Sequence, residues 1–205
     1  MDLKEAVKQL RSLEKRKFSQ SFDLIINLKG VDPKKENITT IINIPHKIKD
    51  KKVCGFLTKK SEIIKTITNL DFAKYKDKKA LKNLVKEFDF FIAAAPLMPS
   101  VATIFGKVLG PAGKMPSPQL GIIPAENDKV IGETLVRIEK SIKIKVKDAG
   151  VKICIGNEKM PDEEVVANAA AVYNGLVNIL PIKKENVKNV MIKLTMSKPL
   201  KVEVK

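Results

Sequence analysis

Phe22-Asp-Leu-Ile-Ile-Asn-Leu-Lys29 sets Phe22, Leu24, Ile26 and Leu28 on one side of an extended chain and Asp23, Ile25, Asn27 and Lys29 on the other. That period of two predicts a strand with one buried face. Just upstream, Leu3, Ala6, Val7, Leu10 and Leu13 recur at spacings of three and four, which predicts a helix over 2–17. Asp2 is placed to cap it, and Lys15, Arg16 and Lys17 crowd its end, where the helix dipole favours cations. Downstream, Gly30-Val-Asp-Pro33 and the charged run to Asn37 read as a turn or loop, and the β-branched residues 38–44 as a second strand closed by Pro45.

The far end of the chain has the same character. Residues 142–147 and 151–155 alternate like a hairpin around Asp148-Ala-Gly150. Pro161 opens a long helix with Asp162, Glu163 and Glu164 in its first turn, and Val165, Val166, Ala169, Val172, Tyr173, Leu176 and Ile179 along its core face. Strands over 187–196 and 200–204 complete it. Between these ends the texture changes to short strands alternating with helices. A strand is expected at 52–57, a helix over 62–69 capped by Ser61, a Lys-rich helix from Asp77 through Phe88, and an apolar strand at 90–95 covered on both faces. A helix over 97–109 follows, with Pro99 in its first turn, then a long Gly- and Pro-rich loop over 110–124, then a helix from Asn127 or Asp128 to about Lys140. This alternation indicates a small three-layer α/β unit. The chain thus divides into a discontinuous domain, 1–47 with 141–205, and an insert, 48–140.

With 205 residues, 44% apolar and 30% charged, the chain has ample material for a core and is globular rather than a basic tail. Its 39 Lys and Arg against 23 Asp and Glu leave +16, so a polyanion is the default partner, nucleic acid before an acidic membrane surface. The three arginines are Arg11, Arg16 and Arg137. Lysine supplies mobile point charge, suited to phosphate backbones more than to base edges. The charge does not separate the domains: cations exceed acids by 10 to 6 in 1–47, 12 to 7 in 141–205 and 17 to 10 in 48–140. Charged residues throughout the first 17 positions argue against a signal peptide, and the apolar stretch 90–105 is too short to span a bilayer and contains Pro96 and Pro99. Cys54 and Cys154 stand apart and His46 is the one histidine, so a zinc site is not expected and a reducing, intracellular compartment is.

No catalytic constellation can be assembled: His46 follows Pro45 at a strand end, and the carboxylates are scattered among lysines. Gly113-Lys114 superficially suggests a phosphate-binding loop, but that motif needs Gly six residues before the Lys and Ser or Thr after it, where this chain has Val108 and Met115. An exposed loop whose N–H groups and Lys114 meet RNA phosphate, and a plain connector, both remain open. Phe22, after Ser19-Gln-Ser21 and near three cations, reads either as an aromatic that stacks on a base or ribose or as a member of the strand's core face. Thr195-Met-Ser197, before Lys198-Pro199, reads either as small residues admitting a close RNA approach or as an ordinary turn.

Several long segments, in order, resemble the archaeal form of the ribosomal protein L1 family, the first protein of the large subunit. They are Leu109-Gly-Pro-Ala-Gly-Lys-Met-Pro116, Phe88-Asp-Phe-Phe-Ile-Ala-Ala-Ala-Pro-Leu-Met-Pro99, Phe18-Ser-Gln-Ser-Phe22, Ile155-Gly-Asn-Glu-Lys-Met160 and Lys193-Leu-Thr-Met196. The resemblance runs from about residue 1 to 204. It implies a two-domain fold combining α+β and α/β: a discontinuous antiparallel sheet with helices on one face, split β-α-β in style, plus an inserted Rossmann-like α/β domain without a dinucleotide site.

The resemblance further implies a non-enzymatic cytoplasmic protein of the ribosome, monomeric when free and without cofactor or metal. Its implied partners are large-subunit rRNA at the mobile stalk near the tRNA exit site, tRNA in that site, and the protein's own mRNA, which it would repress. Carried over residue by residue, the RNA surface would comprise Ser21, Phe22, Thr195, Met196, Ser197 and Lys198, with Glu5 on the first helix, and Lys107 and Lys114 as secondary phosphate contacts. On this basis Phe22 is expected to meet RNA beside Met196. Where the family has Gly after Thr-Met this chain has Ser197, and Ile38 and Ala112 stand where archaeal relatives often carry arginine. An RNA chaperone, or a small-ligand or nucleotide-binding α/β protein with a basic RNA anchor, are the alternatives.

Overall fold

The computed structural model describes residues 1–13, 16–30, 38–75, 77–124, 126–146 and 148–204. In chain order the elements are α1 (Leu3–Arg11), β1 (Ser21–Leu28), β2 (Thr39–Asn43), β3 (Val53–Phe56), β4 (Lys65–Ile67), α2 (Lys78–Glu87), β5 (Phe90–Ala94), α3 (Met98–Ala112), β6 (Ile122–Ile123), α4 (Asp128–Glu139), β7 (Ser141–Lys145), β8 (Gly150–Asn157), α5 (Asp162–Val177), β9 (Val187–Leu194) and β10 (Leu200–Val202). They gather into two compact units, Met1–Ile48 with Lys140–Lys205, and Lys49–Glu139. Lys15, the residues of the expected loop from Val31 to Asn37, and Lys147 lie outside the described residues.

In the first unit β10, β9, β1 and β8 form an antiparallel sheet in that order. The alternation of β1 is realised: Phe22, Leu24, Ile26 and Leu28 join Val190, Ile192 and Leu194 of β9 and Val151, Ile153 and Ile155 of β8 in one core. Leu3, Ala6, Val7 and Leu10 of α1 and Val165, Ala169, Val172 and Leu176 of α5 cover that face. α1 is shorter than its apolar spacing suggests, ending at Arg11 with Ser12 as cap. Asp2 sits at the N-cap, but its side chain makes no capping bond; its backbone forms an isolated parallel bridge with Glu203.

The hairpin expected from 142–147 and 151–155 is not formed. β7 pairs with β2 in a separate two-stranded antiparallel sheet, with Ile142 opposite Ile42, while β8 pairs with β1. Burial decides this: Ile42, Ile44, Ile144 and Val146 all enter the core shared with α5. α5 crosses β2 closely at Gly175, where an added Cβ would lie 2.8 Å from Ile42. Beyond α5's end, Ile179 is exposed rather than part of the core face.

The second unit carries a parallel sheet in the order β4-β3-β5-β6. Val53, Cys54, Gly55 and Phe56 are buried in succession, as are Phe91 to Ala94, so both faces of the central strands are covered. Phe56 stacks on Phe91 at 5.7 Å and leans on Phe105 at 4.7 Å between ring centres. Asp77 caps α2, accepting the Lys79 N–H at 3.3 Å. The helix expected at 62–69 is instead β4. Ser61 does accept the Ile63 N–H at 3.3 Å, but the β-branched run that follows extends and pairs with β3. α3 runs through Pro111 to Ala112, three residues into the expected loop, and stops at Gly113 in the left-handed conformation, φ 69°.

Candidate nucleic-acid interface

The start of β1 and the turn between β9 and β10 are brought together by the ladder that sets Phe22 opposite Leu194. There the Ser21 N–H donates to Thr195 Oγ1 at 3.0 Å, the Thr195 N–H donates to the Ser21 carbonyl at 3.1 Å, and the two hydroxyls lie 3.0 Å apart. Thr195 is exposed and Ser21 partly so. Each hydroxyl both donates and accepts, which matches the ribose 2′-hydroxyl and does not demand a charged ligand. The turn is held from within. Ser197 Oγ accepts the Leu194 N–H at 2.8 Å, the Ser197 N–H donates to the Leu194 carbonyl at 3.0 Å, and the Met196 N–H donates to Gln20 Oε1 at 3.2 Å. Gln20 is itself fixed, its N–H donating to Glu158 Oε2 at 3.0 Å while the Glu158 N–H donates to its carbonyl at 2.8 Å.

This bonding thrusts Met196 outward, 64% exposed, beside the exposed Lys198. Ser197 does not occupy a left-handed backbone position: among described non-glycine residues only Lys183 has a positive φ. A glycine is therefore not required at this position by backbone strain, and Ser197 supplies a hydroxyl that closes the turn. Beneath the surface, burial pushes the Asp23 carboxyl above its ordinary value, opposed by Lys193 and by the Ser21 hydroxyl.

Phe22 does not lie on this surface. It is 0% exposed, and the Arg11 guanidinium stands 5.4 Å from its ring centre. The expectation that Phe22 meets RNA is corrected: its side chain shares the phase of Leu24 and Ile26 and is core. Arg11 locks it in place, donating to the Glu158 carbonyl at 2.7 Å and to the Met160 carbonyl and pairing with Asp162. The aromatic that does reach solvent is Phe18, 50% exposed, four residues earlier beside Lys17 and Ser19. Sequence reasoning passed over it and over Gln20, although Phe18 falls before the strand and so outside the alternating core set. Glu5 is exposed on α1.

In the second unit Lys107 is exposed on α3, whereas Lys114 is engaged. Its Nζ donates to the Val85 carbonyl at 2.8 Å and the Phe88 carbonyl at 2.7 Å, closing the end of α2. The Gly113 and Lys114 N–H groups donate to the Gly110 and Leu109 carbonyls. The phosphate-contact expectation for Lys114 and its loop is thereby corrected. A phosphate-binding loop precedes a helix and offers free N–H groups; this segment ends one, and the Gly113 and Lys114 N–H groups are already bonded to helix carbonyls. No described helix is long and apolar enough to cross a membrane, and no cluster of three or more His, Cys, Asp or Glu side chains placed to hold a metal occurs among the described residues.

A model of the family described as "Ribosomal protein L1p/L10e family" matches residues 10–198. The chain is similar to the "Large ribosomal subunit protein uL1" of Methanocaldococcus jannaschii, 37% identical over 213 aligned positions that cover 98% of this chain and 94% of that protein. It is likewise similar to the proteins of that name from Thermofilum pendens, at 36% identity covering 98% and 92%, and from Nanoarchaeum equitans, at 34% covering 97% and 98%. Matched nearly end to end by proteins of one kind, and by the family model through both structural units, the chain belongs to the ribosomal protein L1p/L10e family, whose members are ribosomal RNA-binding proteins and not enzymes.

Proposed function

We propose that this protein is a component of the large ribosomal subunit that binds rRNA through the first unit, at the surface made by Phe18, Ser21, Thr195, Met196, Ser197 and Lys198, with Glu5 at its margin. Two exposed apolar side chains, Met196 next to Thr195 and Phe18 three residues before Ser21 in the chain, together with the pair of neutral hydroxyls, carry this reading. Apolar contact excludes water from neighbouring hydrogen bonds and strengthens them, while hydroxyls select ribose. The charge of +16 supplies steering and phosphate neutralisation over both units, with Lys107 among the peripheral contacts. The RNA is the mobile stalk near the tRNA exit site, which brings tRNA within reach, and a similar fold in the protein's own mRNA lets the free, monomeric protein repress its synthesis.

The test is filter binding of the full chain to large-subunit rRNA at physiological salt, with an unrelated structured RNA as competitor. Binding that resists the competitor is expected. Equal affinity for both RNAs would favour the chaperone reading, and nucleotide binding by the chain would favour the nucleotide-binding α/β reading.

A further inference from the structure

A groove of about 350 Å³ runs along the first unit between the end of α1 and the turn from β9 to β10. Its apolar surface comes from Leu10, Leu13, Met196 and Leu200, of which Leu13 is 48% exposed although α1 has already ended. Its polar lining includes Gln20, only 5% exposed, with Arg16 and Lys198 as cations. Neither cation has an ion-pair partner among the described residues, and no described lining residue is acidic. Gln20 Oε1 is taken by the Met196 N–H, whereas Gln20 Nε2 has no hydrogen-bond partner among the described residues.

We infer that this groove receives a single unstacked nucleotide of the bound RNA, its base against Leu13 and Met196 and its phosphate near Arg16 and Lys198. The inference rests on the RNA-binding reading above and extends it from the surface hydroxyls to a distinct subsite. Three features favour this occupant. The volume is at the small end of the ~300–1,000 Å³ typical of ligand clefts, room for one nucleotide and too little for a helix. The combination of an apolar floor, an amide donor and unpaired cations matches a ligand with a flat π-face, base-edge acceptors and an anionic link. The groove is also continuous with the proposed interface, because Met196 and Ser197 belong to both.

The experiment compares the wild-type chain with Leu13→Ser and Gln20→Glu, each bound to large-subunit rRNA and probed by base-specific chemical modification. Gln20→Glu keeps an acceptor for the Met196 N–H and removes the amide donor. One base that is protected in the wild-type complex should become reactive with either variant, and Leu13→Ser should weaken binding about tenfold with the salt slope unchanged. Urea unfolding of Leu13→Ser should match wild type, since its side chain is half exposed. Tight, competitor-resistant binding with every base as reactive in the variants as in wild type would overturn the groove assignment alone. Absence of any preference for rRNA would overturn it together with the RNA-binding reading. A Leu13→Ser defect seen only with ribosomal proteins present, and not on naked rRNA, would assign the groove to a polypeptide and overturn the proposal.

Discussion

Replacing Phe22 and Phe18 separately distinguishes a core residue beneath the proposed interface from one proposed to belong to it. Phe22 is fully enclosed, facing Leu194 across the ladder and the Arg11 guanidinium over its ring. Phe22→Ala removes that volume from a core with no slack and should cost about 3–5 kcal/mol of stability, a large share of the ~5–15 kcal/mol of an ordinary domain. Loss of the cation–ring contact contributes roughly 0.5–2 kcal/mol of it. Phe22→Leu, which keeps most of the volume, should cost about 1–2 kcal/mol by the same packing argument. Phe18→Ala touches a half-exposed side chain and should change stability by less than about 0.5 kcal/mol, while weakening rRNA binding by ~1–3 kcal/mol, the worth of one base or sugar contact. Urea unfolding with the m-value checked gives the first quantity, and filter binding at temperatures where each variant is folded gives the second. Phe22→Leu with wild-type stability and a tenfold loss of affinity would show instead that the ring touches RNA.

Other expectations follow from the same contacts. Met196→Ala should leave unfolding unchanged and weaken rRNA binding by ~1–3 kcal/mol, which titration calorimetry checks. Lys107→Ala should lower the slope of log affinity against log salt by about one, whereas Lys114→Ala should leave that slope alone and destabilise the second unit by about 1–3 kcal/mol, since it strips two carbonyls of their donor. Burial pushes the Cys54 thiol up to about 12. Its ionisation is therefore favoured in the unfolded chain, where the thiol titrates near ~8.5, so stability is intact below that pH and lost as pH rises toward 12. Relative to Cys54→Ala, wild type should lose about 1.4 kcal/mol per pH unit across that window. At neutral pH an alkylating reagent should modify exposed Cys154 and spare Cys54 until the protein unfolds, with the sites read by mass spectrometry.

The legibility of the fold followed how local each decision was. The alternation in 22–28, the cap at Asp77 and the acidic first turn of α5 are short-range, and each element formed where its pattern lay. Pairing was not legible. β7 and β8 are close in sequence with alternating faces, yet each takes a distant partner because Ile42 and Ile144 bury more under α5 than a local hairpin would allow. Residues 62–69 failed as a helix since β-branched side chains and a waiting parallel neighbour outweighed a good cap.

Ser21 and the turn at 195–198 are joined by hydrogen bonds at the surface, whereas of the two phenylalanines four residues apart Phe22 is enclosed and Phe18 exposed. The period of two in β1 places Phe22 in phase with Leu24 and Ile26, on the core face, and a resemblance between sequences carries no information about that burial. Lys114 could not have been placed from sequence, because its partners, the carbonyls of Val85 in α2 and of Phe88 just past its end, are distant in the chain.

In the function proposed above, a few uncharged residues of the first unit set specificity while dispersed lysine charge sets general affinity. The direct measurement is the affinity of the Phe18→Ala/Met196→Ala double variant for large-subunit rRNA and for an unrelated RNA across a salt series. The rRNA affinity is expected to fall to the level of the unrelated RNA, while affinity for the unrelated RNA and both salt slopes stay as in wild type. A parallel fall for both RNAs, or an undiminished preference for rRNA, would contradict it.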